Sequence, residues 1–327
     1  MTRLPVKNIL VLGGTGFVGA SLCERLVARS GGAGGRITVP SRQPQRAQWL
    51  RPLPTLELPK ADLGDDRELA RLVAGHDAVV NLVAILHGSE KKFRAVHVDL
   101  PRRLALACAT QGVRRLIHVS ALGVSTDAPS AYLRSKAAGE AELHASGLDL
   151  TLLRPSVMFG AHDRFINLFA SLQRFAPLVP LGGADAKLQP VWVEDVASAI
   201  VRCIDSPATV GQTIECAGPT IYTLRELVKM AGEWSGHERP VLELPGALAR
   251  LQAWVMELLP GQPLLSRDNL LSLQVPNVAS GGLPGLDSLG IAATDLRSVM
   301  PAVLAAKNGP SRLDRLRGPI GESGRRG

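Results

Sequence analysis

Aromatic residues make up only 4% of this 327-residue chain, although 46% of it is hydrophobic, so any core must be built from Leu, Val and Ala in the manner of a globular protein. Cysteine is scarce: Cys23, Cys108, Cys203 and Cys216 stand apart, with no paired spacing. That excludes a disulfide framework or a cysteine-based zinc site, and no metal is expected; the thiols read as reduced core residues of a cytosolic-type compartment. No apolar run approaches the roughly 18 residues that a membrane span needs. Only seven residues precede the first apolar run, which meets glycine after five positions, so no secretory signal is expected and the location reads as cytoplasmic. The formal charge is +8, and from Lys307 onward six basic and two acidic residues supply +4 of it. This tail, 307–327, is poor in apolar residues and is expected to be disordered. A basic tail has general affinity for anionic surfaces, but nothing marks a specific nucleic-acid site.

What the chain does have is alternation. Apolar runs at Asn8–Leu12, Arg36–Val39, Thr55–Leu58, Ala78–Val83, Leu116–Val119 and Thr151–Leu153 are separated by amphipathic stretches at Val18–Ala28, Arg67–Ala74, Pro101–Thr110 and Ala131–His144. Strand and helix repeated in this way predict an α/β fold with a parallel sheet covered on both faces, a Rossmann-type doubly wound sheet. Beyond Pro155 the pattern loosens. "LQPVWVEDVASAIVRCI" predicts a strand entering a helix with Asp195 near its start, and Thr223 with Glu226 forms a capping box before another helix. The expected division is a dinucleotide-binding domain over 1–155 and a smaller C-terminal α/β lobe over 156–306.

"NILVLGGTGFVGASLCERLV" places Gly13, Gly16 and Gly19 directly after a strand and at the opening of a helix, with Thr15, Phe17 and Val18 between them. Such a turn lets backbone approach a pyrophosphate at a helix N-terminus. The second strand lacks the terminal acid that would bond an NAD ribose and runs instead into Ser41-Arg42. A guanidinium suits a 2′-phosphate, so NADP(H) is expected over NAD(H). Asp62, after the third strand, is either an adenine-side acceptor or a helix N-cap, and Leu63 adds a backbone contact. Leu82, Val83 and Ala84, at the end of the fourth strand, are expected to line the middle of the cofactor.

Tyr132 and Lys136 lie four apart on one helix face. Lys136 would hold the nicotinamide ribose and lower the pKa of Tyr132, which would then act as acid or base. The fifth strand ends Val119-Ser120-Ala121, and alternation turns Ser120 away from where Ala121 points. Ser125 and Ser130 are the available substitutes for the missing hydroxyl.

These residues resemble the extended and atypical short-chain dehydrogenase/reductase superfamily over roughly Lys7–Leu304, with "LRPSVMFG" similar to its Arg-Pro segment. "HVSALG", "YLRSKAAGE", "PSVMFGAHDRFIN", "LFASLQRFAPLVPLG", "QPVWVEDVA" and "LPGLDSLGI" resemble more closely the NADPH-binding accessory subunit family of respiratory complex I and its bacterial relatives. The resemblance implies backbone contacts from Pro155 and Val157 to the nicotinamide, and a dinucleotide held with weak or absent turnover. It also implies a partner in the respiratory chain or in quinone biosynthesis. The alternatives are an active NADPH-dependent oxidoreductase acting on a carbonyl or quinone-like substrate, and a nucleotide-sugar epimerase or dehydratase, which Ala121 argues against. "PGALARLQAWVMELLPG", 245–261, is a short apolar helix that either docks on the second lobe or makes peripheral contact at the inner face of the cell membrane.

Overall fold

The computed structural model describes residues 6–31, 35–258 and 265–308. The expected apolar runs form strands β1 (Asn8–Leu12), β2 (Arg36–Thr38), β3 (Leu56–Glu57), β4 (Ala78–Asn81), β5 (Arg115–Val119) and β6 (Asp149–Pro155). Shorter strands follow: β7 (Met158–Phe159), β8 (Val179–Leu181), β9 (Lys187–Leu188), β10 (Val191–Trp192), β11 (Thr213–Cys216), β12 (Tyr222–Thr223) and β13 (Val241–Glu243). Seven of them build a parallel sheet in the order β11-β6-β5-β4-β1-β2-β3. The direction of winding reverses between β1 and β4, which opens a crevice at the carboxyl ends of those strands. The sheet also draws on sequence beyond Pro155, because β11 pairs with β6.

The helices are α1 (Phe17–Arg29), α2 (Asp66–Val73), α3 (Glu90–Arg94), α4 (Leu100–Thr110), α5 (Ala131–His144), α6 (Ile166–Phe175), α7 (Val193–Asp205), α8 (Leu224–Ser235), α9 (Gly246–Leu258), α10 (Arg267–Ser272) and α11 (Leu296–Asn308). One face of the sheet packs Ile9, Val11 and Ile117 against Leu22 and Leu26 of α1 and Val196 and Ile200 of α7. The other packs Leu10, Leu12, Leu116 and Leu152 against Leu69 of α2 and Leu104 and Cys108 of α4. Ion pairs Arg25–Glu194 and Arg29–Asp205 fasten α1 to α7. A third core joins Phe159, Ile166, Leu227, Val228 and Met300 in the second lobe. There the Thr223–Glu226 capping box opens α8 as expected. All four cysteines are free and buried, and burial raises their thiol pKa values, to about 12 for Cys23 and Cys108.

Between α3 and α4 the helix widens into a π-turn at Ala95–Asp99. Pro101 offers no N–H to the carbonyl four residues back, that of His97, and a wider turn absorbs the missing bond. At the other end of the chain, α11 continues through Asn308, two residues into the segment expected to be disordered; the rest of that tail lies outside the described residues. Of the 245–261 segment, α9 covers Gly246–Leu258, and 259–261 likewise lie outside them.

Candidate functional site

The glycine turn sits at the switch point. Gly13 has φ +79°, a left-handed conformation that glycine tolerates without cost, and a Cβ there would lie 3.0 Å from the Leu82 carbonyl carbon. A Cβ at Gly19 would overlap the backbone of Gly14, so α1 presses directly on the turn. Gly16 caps α1 without any side-chain acceptor, while Thr15 is exposed and Phe17 and Val18 are half-buried. The helix N-terminus therefore presents N–H groups that no capping side chain claims.

Ser41 continues the ladder beyond β2: it pairs with Lys60, and its carbonyl accepts from Ala61 N. Arg42 is exposed and engages no carboxylate among the described residues. The alternatives for Asp62 narrow, since Asp65 is the N-cap of α2, accepting from Arg67 N and Glu68 N. Asp62 Oδ1 accepts from Gly64 N at 3.0 Å and the side chain is exposed on the same rim as Arg42. Leu63 packs on the sheet core, and its carbonyl accepts from Arg103.

The segment after β4 is pinned residue by residue. Leu82 N donates to Leu12 O, Val83 N to Asn81 Oδ1 at 3.1 Å, and Ile85 N to His97 Nε2 at 3.1 Å, leaving Ala84 exposed. With Nε2 accepting, the His97 proton sits on Nδ1 and is donated to Ser135 Oγ at 2.8 Å; that hydroxyl donates in turn to the Tyr132 carbonyl at 2.7 Å. Burial, and then the Lys136 charge, lower the His97 pKa to about 3, so the ring stays neutral. His118, fully buried in β5, accepts from Asn81 Nδ2 and is held well below the ordinary range by burial. Sequence reasoning passed over Asn81 and His97. A proline four residues after His97 in a helical pattern was the available signal.

Lys136 is 2% exposed, and its Nζ donates to the Val119 carbonyl at 2.9 Å. Burial lowers its pKa to about 8, against the opposing pull of Glu140 one turn on, which itself bonds Arg154 at 3.0 Å. Tyr132 is half-buried, with its ring edge-on to His97 and Phe93. Burial pushes its phenol up to about 12, and no lowering by Lys136 is found, in contrast with the priming that the four-residue spacing suggests. Ser120 is 5% exposed, and its Oγ has no hydrogen-bond partner among the described residues. Ser130 is consumed as the N-cap of α5, and Ser125 Oγ accepts from Asp127 N on an exposed loop. Pro155 O accepts from Leu122 N, and Val157 N already donates to Asn277 Oδ1 at 2.8 Å.

The structure thus sets Gly13–Gly19, Leu82–Ala84, Val119, Ser120, Tyr132 and Lys136 along the carboxyl edge of the sheet, with Ser41, Arg42 and Asp62 toward its β2–β3 end and Pro155 and Val157 toward its β6 end. A doubly wound sheet with this turn and a Tyr-x-x-x-Lys helix defines a nicotinamide-dinucleotide-binding class of α/β protein. The sequence profile of the NAD dependent epimerase/dehydratase family matches residues 9–217, and the chain belongs to that family. It is 32% identical to the rat (Rattus norvegicus) mitochondrial protein "NADH dehydrogenase (ubiquinone) 1 alpha subcomplex subunit 9" over 293 residues, covering 88% of this chain and 76% of that relative. Among solved structures, a nucleoside-diphosphate-sugar epimerase from Staphylococcus aureus superposes with TM-score 0.71 at 17% identity, over 89% of this chain and 98% of the other. The dTDP-glucose 4,6-dehydratase of Streptomyces venezuelae, solved with NAD bound, gives 0.62 at 22% identity over 81% and 96%. These two likenesses show the fold.

Proposed function

We propose that this chain holds NADP(H) tightly, turns it over weakly or not at all, and serves as a subunit or companion of a respiratory-chain or quinone-biosynthesis assembly. The residues present suit the dinucleotide: a helix N-terminus free of side-chain caps lies at a turn where a Cβ at Gly14 or Gly19 would clash, and the buried Ser120 hydroxyl has no partner among the described residues. Gly13, Thr15, Gly16, Phe17, Val18 and Gly19 would cradle the pyrophosphate. Ser41 and Arg42 would take the 2′-phosphate, and Asp62 and Leu63 the adenine side. Leu82, Val83 and Ala84 would line the middle. Val119, Ser120, Tyr132 and Lys136 would hold the nicotinamide ribose, bordered by Pro155 and Val157. A bound nicotinamide supplies hydride chemistry; this chain's own part is to bind, orient and enclose.

The observation that carries the weak-turnover reading is the state of Tyr132. Its phenol is pushed up to about 12 by burial, no lowering by Lys136 offsets this, and the position after Ser120 is alanine. A general acid or base works best with a pKa near the operating pH. The partner class rests on the rat relative, whose name makes it a subunit of a mitochondrial NADH dehydrogenase (ubiquinone). Peripheral contact at the inner face of the cell membrane is supported by α9, where Leu248, Leu251, Val255 and Leu258 are each about half exposed or more along one side, with Trp254 beside them.

Nucleotide release from purified protein, titration with NADPH and NADH, and NADPH oxidation by a short-chain quinone test the reading together. Expected are NADPH retention, a preference of at least ten-fold for NADPH, and a slow oxidation that Tyr132→Phe leaves unchanged. A preference for NADH would overturn the cofactor. Rapid turnover abolished in Tyr132→Phe would establish the active oxidoreductase instead.

A further inference from the structure

Residues 266–280, which carry no motif, run along the carboxyl ends of β5, β6 and β11, beside the residues assigned to the nicotinamide end. Asp268 of α10 places both carboxylate oxygens on the start of α5: Oδ1 accepts from Ala131 N at 2.7 Å and Oδ2 from Tyr132 N at 3.1 Å. Val275 packs on the loop after β5, so closely that a Cβ at Gly123 would stand 3.1 Å from Val275 Cγ1. Asn277 then grips the end of β6, with Oδ1 accepting from Ser156 Oγ at 2.6 Å and from Val157 N at 2.8 Å. Ser280 N finishes on Glu215 of β11 at 2.7 Å. The segment therefore crosses the carboxyl ends of β5, β6 and β11 in sequence.

In an open α/β sheet ligands lie along the carboxyl ends of the strands. The glycine turn and Arg42 assign the β1–β3 part of that edge to the dinucleotide. A reactant meeting the nicotinamide would approach over β5 and β6, where the chain has laid its own backbone.

We propose that Ser266–Asn277 is a strap that fills the substrate half of the cleft, latched at one end by Asp268 on α5 and at the other by Asn277 on β6. It rests on the dinucleotide reading above and gives it a physical cause: access to the site requires the strap to leave as a unit. The two latches differ in chemistry. Asp268 adds charge-assisted bonds at a helix N-terminus, where the backbone dipoles favour an anion. Asn277 makes neutral bonds: its side chain takes the Ser156 hydroxyl and the Val157 amide, and its backbone bridges to Leu188 of β9, donating to Lys187 O at 2.9 Å and accepting from Gln189 N at 3.0 Å.

Thiol labelling tests the strap, because the four native cysteines are buried and an Ala121→Cys reporter lies two residues from Gly123. Expected is maleimide labelling at least ten-fold faster when Asp268→Ala and Asn277→Ala are added to the reporter. Equal rates in the two proteins, with fold retained by circular dichroism, would overturn the proposal. Hydrogen exchange on the unmutated chain keeps the test independent of variant folding. The amides of Ala131, Tyr132 and 267–277 should open together and at least ten-fold more often than those of β5 and β6; exchange of the strap only through global unfolding would overturn it. Neither readout needs cofactor, so a chain that failed to bind NADPH would sink the dinucleotide reading alone.

Discussion

Gly139 of α5 lies against the carbonyl of His97 so closely that a Cβ would overlap the oxygen. The contact joins the helix that carries Tyr132 and Lys136 to the π-turn that Pro101 imposes, and it sets the distance between His97 and Ser135. Gly139→Ala must push the two apart, and overpacking of this kind costs about 1–3 kcal/mol, occasionally more. A lowered melting temperature together with weakened NADPH binding is expected. An unchanged melt would show that the helices can separate freely.

Arg42 should act on one cofactor and not the other. Hydrogen bonds to charged groups contribute about 1.5–3 kcal/mol, so Arg42→Ala should weaken NADPH binding by roughly ten- to a hundred-fold and leave NADH nearly untouched. Calorimetric titration of both nucleotides decides it; equal losses would remove the 2′-phosphate from the account.

Lys136 carries a pH signature. Its pKa is held at about 8 in the fold, below the ordinary lysine value that the unfolded chain would show. Below pH 8 both states are protonated, and the fold carries the cost of a buried charge. Between the folded and unfolded values the unfolded chain binds more protons, so stability rises with pH. Lys136→Met should flatten that rise and stabilise the cofactor-free protein at neutral pH by up to roughly 3 kcal/mol, while dinucleotide binding is lost. A Met variant less stable at pH 7 would contradict the burial cost.

The chain has two tyrosines, which makes Tyr132 directly observable. In a Tyr222→Phe background, tyrosinate absorbance should show no ionisation of Tyr132 up to pH 10.5, in line with a phenol pushed up to about 12. A midpoint near 9 would mean that Lys136 primes it after all.

The strands, the glycine turn and the Tyr132–Lys136 pair were legible because each is written in a few consecutive residues, by apolar runs, a fixed glycine spacing or a four-residue offset. The structure departs from that reading where partners are remote. Lys136, buried in α5, sets its ammonium on the Val119 carbonyl, 17 residues back along the chain. Ser130 was a candidate for the missing hydroxyl, yet it stands where a helix needs a cap. Asp268 is 136 residues from Tyr132, and Asn277 is 120 residues from Val157. Neither has a local sequence signal, because a loop aspartate or asparagine is ordinary until its partner is known.

The pairing of β11 with β6 has a consequence for how the chain is made. Everything from the glycine turn to Lys136 leaves the ribosome before Thr213–Cys216 exists. Until then β6 is an unprotected border, with Leu150, Leu152 and Leu153 destined for burial and its ladder groups unmatched on one side. A nascent chain halted before residue 213 should therefore be the form most prone to stick to its neighbours and to recruit chaperones.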